Sequence, residues 1–157
     1  MEIVSCLVPL FNGEMEYRII ITQYDVDEYN QKYFKEHPRA TKVRIKAPLH
    51  PSLNEYMVAN NQARNNQKQT WKDFIVWILQ KRNLTGIGVD RCEITYRTFF
   101  KTRRIHDIDN VTPKYILDGM TEAGFLVADD YNHVVRLITE CGYDGENPRI
   151  ELIVNEL

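Results

Sequence analysis

A chain of 157 residues with 43% apolar content can build one continuous core, and nothing in its length calls for a second domain. A formal net charge of −2 and a pI of about 6.1 count against a protein that grips nucleic acid by bulk positive charge, so an anionic partner would be met by a local basic face. Cys6, Cys92 and Cys141 are odd in number, widely spaced and without a C-x-x-C pair, which argues against a disulfide framework and a structural zinc site and fits a reducing cytoplasm. The first residues lack a basic leader and are interrupted by Pro9, so neither a signal peptide nor a membrane span is expected there.

Along the chain, the alternating apolar runs Glu2 to Val8 and Tyr17 to Tyr24 are joined across Phe11-Asn12-Gly13-Glu14, and the Asn-Gly step predicts a β-hairpin. Asp25 and Glu28 have the spacing of a capping box, opening a short helix that carries Tyr29 and Tyr33 and ends before Pro38. Lys42 to Ala47 alternates charged and apolar residues as a strand would, and Pro48 to Tyr56, with two prolines and no sustained period, reads as a loop. From Gln62 to Arg82 the recurrence of Trp71, Phe74, Ile75, Ile78 and Leu79 marks the buried stripe of a long helix.

Gly86 and Gly88 then break the chain before Arg91 to Lys101, where Cys92, Ile94, Tyr96, Thr98 and Phe100 alternate with mostly polar neighbours as a strand with one core face. Val111 to Ala123 is expected to be helical, with Pro113 in its first turn and Gly124 at a left-handed C-cap. Strands near His133 to Glu140 and Arg149 to Asn155 complete the prediction. The fold class is α/β (α+β): a single compact domain over 1–157, with a mixed β-sheet flanked by helices in residues 41–157 and an extra hairpin and short helix in residues 1–40.

The segment Arg103-Arg104-Ile105-His106-Asp107-Ile108-Asp109-Asn110 concentrates the chemistry. Alternate side chains of an extended segment point the same way, so Asp107 and Asp109 are expected to share one face and one divalent cation if the strand runs on that far. Asp-x-Asp also occurs in plain turns, where it caps backbone amides. With cations beside it, the pair suits phosphodiester chemistry, in which Mg²⁺ polarises a phosphoryl oxygen and prepares the attacking water. Arg64, Lys68 and Lys72 on the long helix, with Lys101, Arg103 and Arg104 at the strand end, are the candidate phosphate-binding face, although a charged helix face is by default a solvated one.

Rival motifs fail on spacing. An EF-hand opening at Asp107 would place Val111, Thr112 and Asp118 where a ligand, glycine and glutamate are required. His37, His50, His106 and His133 are scattered without H-E-x-x-H, and Gly86-Ile87-Gly88 is a lone G-x-G.

The run from Asp107 through Asn110, Lys114, Asp118 and Ala123-Gly124 to Asp129-Asp130 resembles the RusA family of Holliday-junction resolvases, whose pattern is D-x-D-N, a lysine, a helix ending D-x-x-x-x-A-G, and an acidic pair leading into a strand. Pro51-Ser52-Leu53-Asn54-Glu55-Tyr56 is similar to that family's early P-S-x-N-x-Y element, so the resemblance spans roughly residues 41 to 155. It implies an endodeoxyribonuclease that nicks paired strands of branched DNA as a homodimer with Mg²⁺, or Mn²⁺ in its place.

By the same resemblance Asp107, Asp109 and either Asp129 or Asp130 are the metal ligands, with Asp129 favoured by counting forward from Gly124. Lys114 is the essential lysine, and Lys114 with the basic face contacts DNA. Asn110 would cap the following helix and orient the ligands. The chain departs from the family in two respects: Lys114 stands five residues after Asp109, one further than in the family's best-known form, and the acidic pair follows Ala128, so that counting back from the Val134-Val135 strand favours Asp130. Two other readings stand beside this one, a noncatalytic junction-binding module and a metal nuclease for flaps or forks.

Overall fold

In the computed structural model the described residues are 7–9 and 14–157, with side chains described from residue 14 onward. Among these residues five strands form one sheet: β1 (Leu7–Pro9), β2 (Met15–Thr22), β3 (Cys92–Phe100), β4 (Val134–Tyr143) and β5 (Arg149–Glu156), in the order β1-β2-β5-β3-β4. Every neighbouring pair is antiparallel except β3 and β4, which run parallel. A parallel pair needs a crossover, and α4 (Lys114–Glu122) supplies it, carrying the chain back from the end of β3 to the start of β4. The other helices are α1 (Gln23–Glu36), α2 (Leu53–Val58) and α3 (Asn61–Lys81). The result is one compact α+β domain, and among the described residues no helix is long and apolar enough to cross a membrane.

Period-two alternation builds the sheet's inner face. Tyr17, Ile19 and Ile21 of β2, Ile94 and Tyr96 of β3, and Ile150, Leu152 and Val154 of β5 are buried in one cluster with Trp71, Phe74, Ile75, Ile78 and Leu79 of α3. The long helix thus presents the stripe that its spacing predicted. α4 lies so close to α3 that a Cβ added at Gly119 would stand 2.7 Å from the Ile75 Cβ. Gly124, at φ +69°, ends the helix in the left-handed region as expected. The opposite sheet face is a lattice of charge: Arg97 pairs with Glu140 and Arg149 with Glu151 at 2.7 Å, while Arg136 meets Glu93 at 3.2 Å.

Several local expectations are corrected. β1 and β2 do pair, but the turn across residues 10–13, Phe11 included, lies outside the described residues. The capping box of α1 is Thr22 with Asp25, three residues earlier than Asp25 with Glu28, and Asp25 also accepts a bond from Arg82 at 2.9 Å, tying the start of α1 to the end of α3. Lys42 to Ala47 is not a strand. The Asn30 side chain instead takes the place of a strand partner, accepting the N–H groups of Arg44 and Ile45 at 2.8 and 3.0 Å and donating to the Ile45 carbonyl at 2.7 Å. The loop expected over Pro48 to Tyr56 becomes helical at Leu53, because Ser52 and Glu55 form a capping box. The crossover helix begins at Lys114 with Pro113 as its N-cap, three residues later than Val111.

Candidate metal centre and nucleic-acid interface

β3 ends at Phe100, and the chain from Lys101 to Asp107 leaves the sheet as an exposed irregular segment. It doubles back, for the His106 ring stacks on Phe100 at 3.8 Å between centroids and 9° between planes. The strand therefore does not carry Asp107 and Asp109 in extended register. Ile108–Asn110 is a 3₁₀ turn, closed by Asn110 N–H to the Asp107 carbonyl at 3.1 Å and Val111 N–H to the Ile108 carbonyl at 3.3 Å. In such a turn, residues two apart are about 120° apart around the axis, so the common strand face is lost. Both carboxylates are exposed, and neither side chain has an ion pair or hydrogen bond among the described residues.

The turn is fastened to the Pro51–Tyr56 segment. The Asn54 N–H donates to Asn110 Oδ1 at 2.8 Å, which satisfies one of the amides left open at the start of α2. Asn110 thus caps the first turn of α2 and not α4, a correction to its expected role. The N-terminus of α4 is held instead by His50, whose Nε2 accepts the Tyr115 N–H at 2.9 Å. A ring nitrogen that accepts an amide carries no proton, so Nδ1–H is the donor to the Pro51 carbonyl at 2.7 Å. Burial pushes the His50 pKa down to about 4, opposed by that carbonyl bond, and the ring stays neutral at pH 7. Sequence reasoning passed over His50 as one of four scattered histidines; its only signal was its place directly before Pro51-Ser52.

Lys114, the first residue of α4, extends to 5.9 Å from the centre of the Tyr56 ring and has no carboxylate partner among the described residues. Arg64 lies over the other residues of that bend, donating from Nε to the Tyr56 carbonyl at 2.8 Å and from Nη2 to the Met57 carbonyl at 3.1 Å, with its guanidinium 5.0 Å from the Tyr56 ring. Arg64, Lys68 and Lys114 line one cleft. Lys68 also meets Asp118 at 3.4 Å, while Lys72 is bound to Glu122, a bond that raises its pKa and takes it out of the cleft. Lys101, Arg103 and Arg104 stand on the exposed segment, where Arg103 lies 4.6 Å over the Tyr143 ring.

The third carboxylate is elsewhere. Val127 N–H donates to the Val89 carbonyl at 3.0 Å and Cys92 is in register with Val134, so Asp129 and Asp130 lie at the start of β3 and β4. Asp107 and Asp109 lie past the far end of β3, on the order of 25 Å away at the rise of an extended chain. Asp130 is already engaged: it faces His133 Nδ1 at 2.7 Å, which holds its carboxyl below the usual range, and accepts the Asn132 N–H at 2.9 Å. Asp129 is exposed and its side chain has no partner among the described residues. Accordingly, among the described residues no group of three or more His, Cys, Asp or Glu side chains is placed to hold a metal ion. Asp107 and Asp109 therefore meet neither Asp129 nor Asp130 within one chain, contrary to the three-carboxylate site that the resemblance implies.

No protein-family profile matches this chain, and no curated protein matches it in sequence.

Proposed function

We propose that this chain is a RusA-like, Mg²⁺-dependent endonuclease that nicks branched DNA, Holliday junctions foremost, and works as a homodimer. The observation that carries the reading is the docking of the P-S-x-N-x-Y segment onto the D-x-D-N segment through the Asn54 to Asn110 bond. The two stretches that carry the resemblance to one family are in direct contact, and Lys114, Asp107 and Asp109 beside that contact have no ion-pair partner among the described residues.

The donor chemistry fits a hard cation. Asp107 and Asp109 offer carboxylate oxygens with no other partner among the described residues, and Mg²⁺ takes oxygen ligands while keeping several waters. Bound there, it would polarise the phosphoryl oxygen and lower the pKa of the attacking water. Lys114 would neutralise charge that develops on the phosphate in the transition state. Arg103 and Arg104 would hold the strand against the turn, by contacts that position without reading sequence.

A second copy supplies the missing carboxylate in this account. β4 is an edge strand of ten residues and exposes Val135, Leu137, Ile138 and Tyr143, the kind of long apolar edge that invites pairing. Arg136 and Glu140 sit symmetrically about Ile138, so an antiparallel two-fold pairing centred there sets each Arg136 against the other copy's Glu140. Antiparallel pairing also exchanges the ends, carrying Asp129 of one copy toward the Tyr143 end of the other, where Phe100, His106 and Asp107 gather. Asp129, uncommitted, suits the ligand role better than Asp130.

The separation of the carboxylates favours the rival reading, a noncatalytic junction-binding module, if the chain acts alone. The two readings part in a cleavage assay on a four-way junction beside linear duplex and flap DNA. The nuclease reading predicts paired nicks on the junction with Mg²⁺ or Mn²⁺ and none in EDTA. Binding without cleavage in every metal would overturn it, and faster cutting of flaps would move the substrate.

A further inference from the structure

Between α2, α3 and α4 lies a cleft of about 430 Å³ lined by Tyr56, Arg64, Asn65, Lys68, Lys114 and Tyr115. Its charge is net positive, three cations against the one carboxylate of Asp118 beside Lys68. Lys114 has no anionic partner among the described residues, and Arg64 gives Nε and Nη2 to backbone carbonyls, which fixes its guanidinium and leaves its charge uncompensated.

A second feature points to the occupant. Tyr115 is 2% exposed, yet its hydroxyl has no hydrogen-bond partner among the described residues. Buried hydroxyls are rarely left without one, because desolvation is then uncompensated. Burial raises the hydroxyl's pKa above the ordinary value, Tyr56 and the Asp118 carboxylate add to this and Arg64 opposes it, so the group stays a protonated donor under the influence of both the arginine and the carboxylate. An unpaired donor beside fixed and mobile cations is a match for phosphate oxygens, which accept several charge-assisted bonds at once. The Tyr56 ring, already faced by Arg64 and Lys114, provides a flat wall for a sugar or base.

We infer that this cleft binds a backbone phosphodiester of a nucleic-acid strand next to the one presented to Asp107 and Asp109, with the Tyr115 hydroxyl donating to a phosphate oxygen and Arg64 and Lys114 neutralising its charge. The inference takes its place beside a scissile phosphate from the nuclease reading, but the cleft's affinity requires neither metal nor cleavage.

The test uses the whole chain in EDTA, titrated with the thymidine dinucleotide TpT and, separately, with inorganic phosphate, following backbone amide resonances. TpT should shift the amides of Tyr56, Lys68, Lys114 and Tyr115 saturably, and more tightly than inorganic phosphate does. Tyr115→Phe should weaken TpT about tenfold or more, the worth of one hydrogen bond to a charged group, without lowering its thermal midpoint, because the hydroxyl has no partner among the described residues. A lowered midpoint with unchanged TpT affinity would overturn the inference by assigning the hydroxyl to internal structure. Equal affinity for inorganic phosphate would overturn the strand assignment. A chain that binds TpT here but cuts no branched DNA would sink the nuclease reading alone.

Discussion

Asn110 Oδ1 accepts the backbone N–H of Asn54 at 2.8 Å across 56 residues of sequence, and this bond joins the turn that bears Asp107 and Asp109 to the helix that bears Tyr56. An exposed bond of this kind contributes modestly to stability, yet it fixes the relative placement of the carboxylates and the cationic cleft. Asn110→Leu is expected to cost about 1 kcal/mol in denaturant unfolding. In single-turnover cleavage of a pre-bound junction it should cost tenfold or more, because misplacement of reacting groups is felt steeply. Asn110→Asp, which keeps an acceptor, should recover most of that rate. Leu and Asp variants equally close to wild type would remove Asn110 from this role.

His50 makes stability depend on pH in a defined direction. Its folded pKa of about 4 lies below the ordinary histidine value of 6.5, so on acidification the unfolded chain takes up the proton first. The His50 contribution is complete above pH 6.5 and is lost as pH falls from 6.5 to 4. Its full span is about 3 kcal/mol. His50→Gln, able to accept the Tyr115 N–H without titrating, should show a shallower loss of stability than wild type across that window in urea unfolding. Parallel pH profiles for the two proteins would contradict the assignment.

The contact between α3 and α4 leaves no room at Gly119. A methyl group there meets the Ile75 Cβ at 2.7 Å and the Lys72 backbone at 3.4 Å, so one helix must move. Gly119→Ala should destabilise by about 1–3 kcal/mol despite alanine's better helix propensity. Thermal melting decides it, and a stabilised variant would show that the helices separate at little cost.

How much of this was legible in the sequence varies with the range of the interactions. The α3 stripe from Trp71 to Leu79 and the alternation from Cys92 to Thr98 were plain because one face of each element packs on the core. Lys42 to Ala47 alternates just as clearly and forms no strand, since the Asn30 amide satisfies the backbone that a neighbouring strand would have paired. The Ser52 and Glu55 box was there to be read but was masked by two prolines. His50 acts on Tyr115, 65 residues away, and no local pattern marks that. The resemblance named the acidic residues, but only the parallel pairing of β3 and β4 reveals that Asp129 and Asp107 stand at opposite ends of the sheet.

That opposition makes the composite site the central claim, and mixing two inactive chains tests it most directly. Asp107→Asn and Asp129→Asn should each abolish cleavage of a four-way junction while retaining binding. Unfolded and refolded together in equal amounts, they should regain nicking at about a quarter of the wild-type rate, because half the dimers are mixed and each of these holds one intact site. A mixture as inactive as either variant, with wild type active under the same conditions, would contradict a site built from two copies.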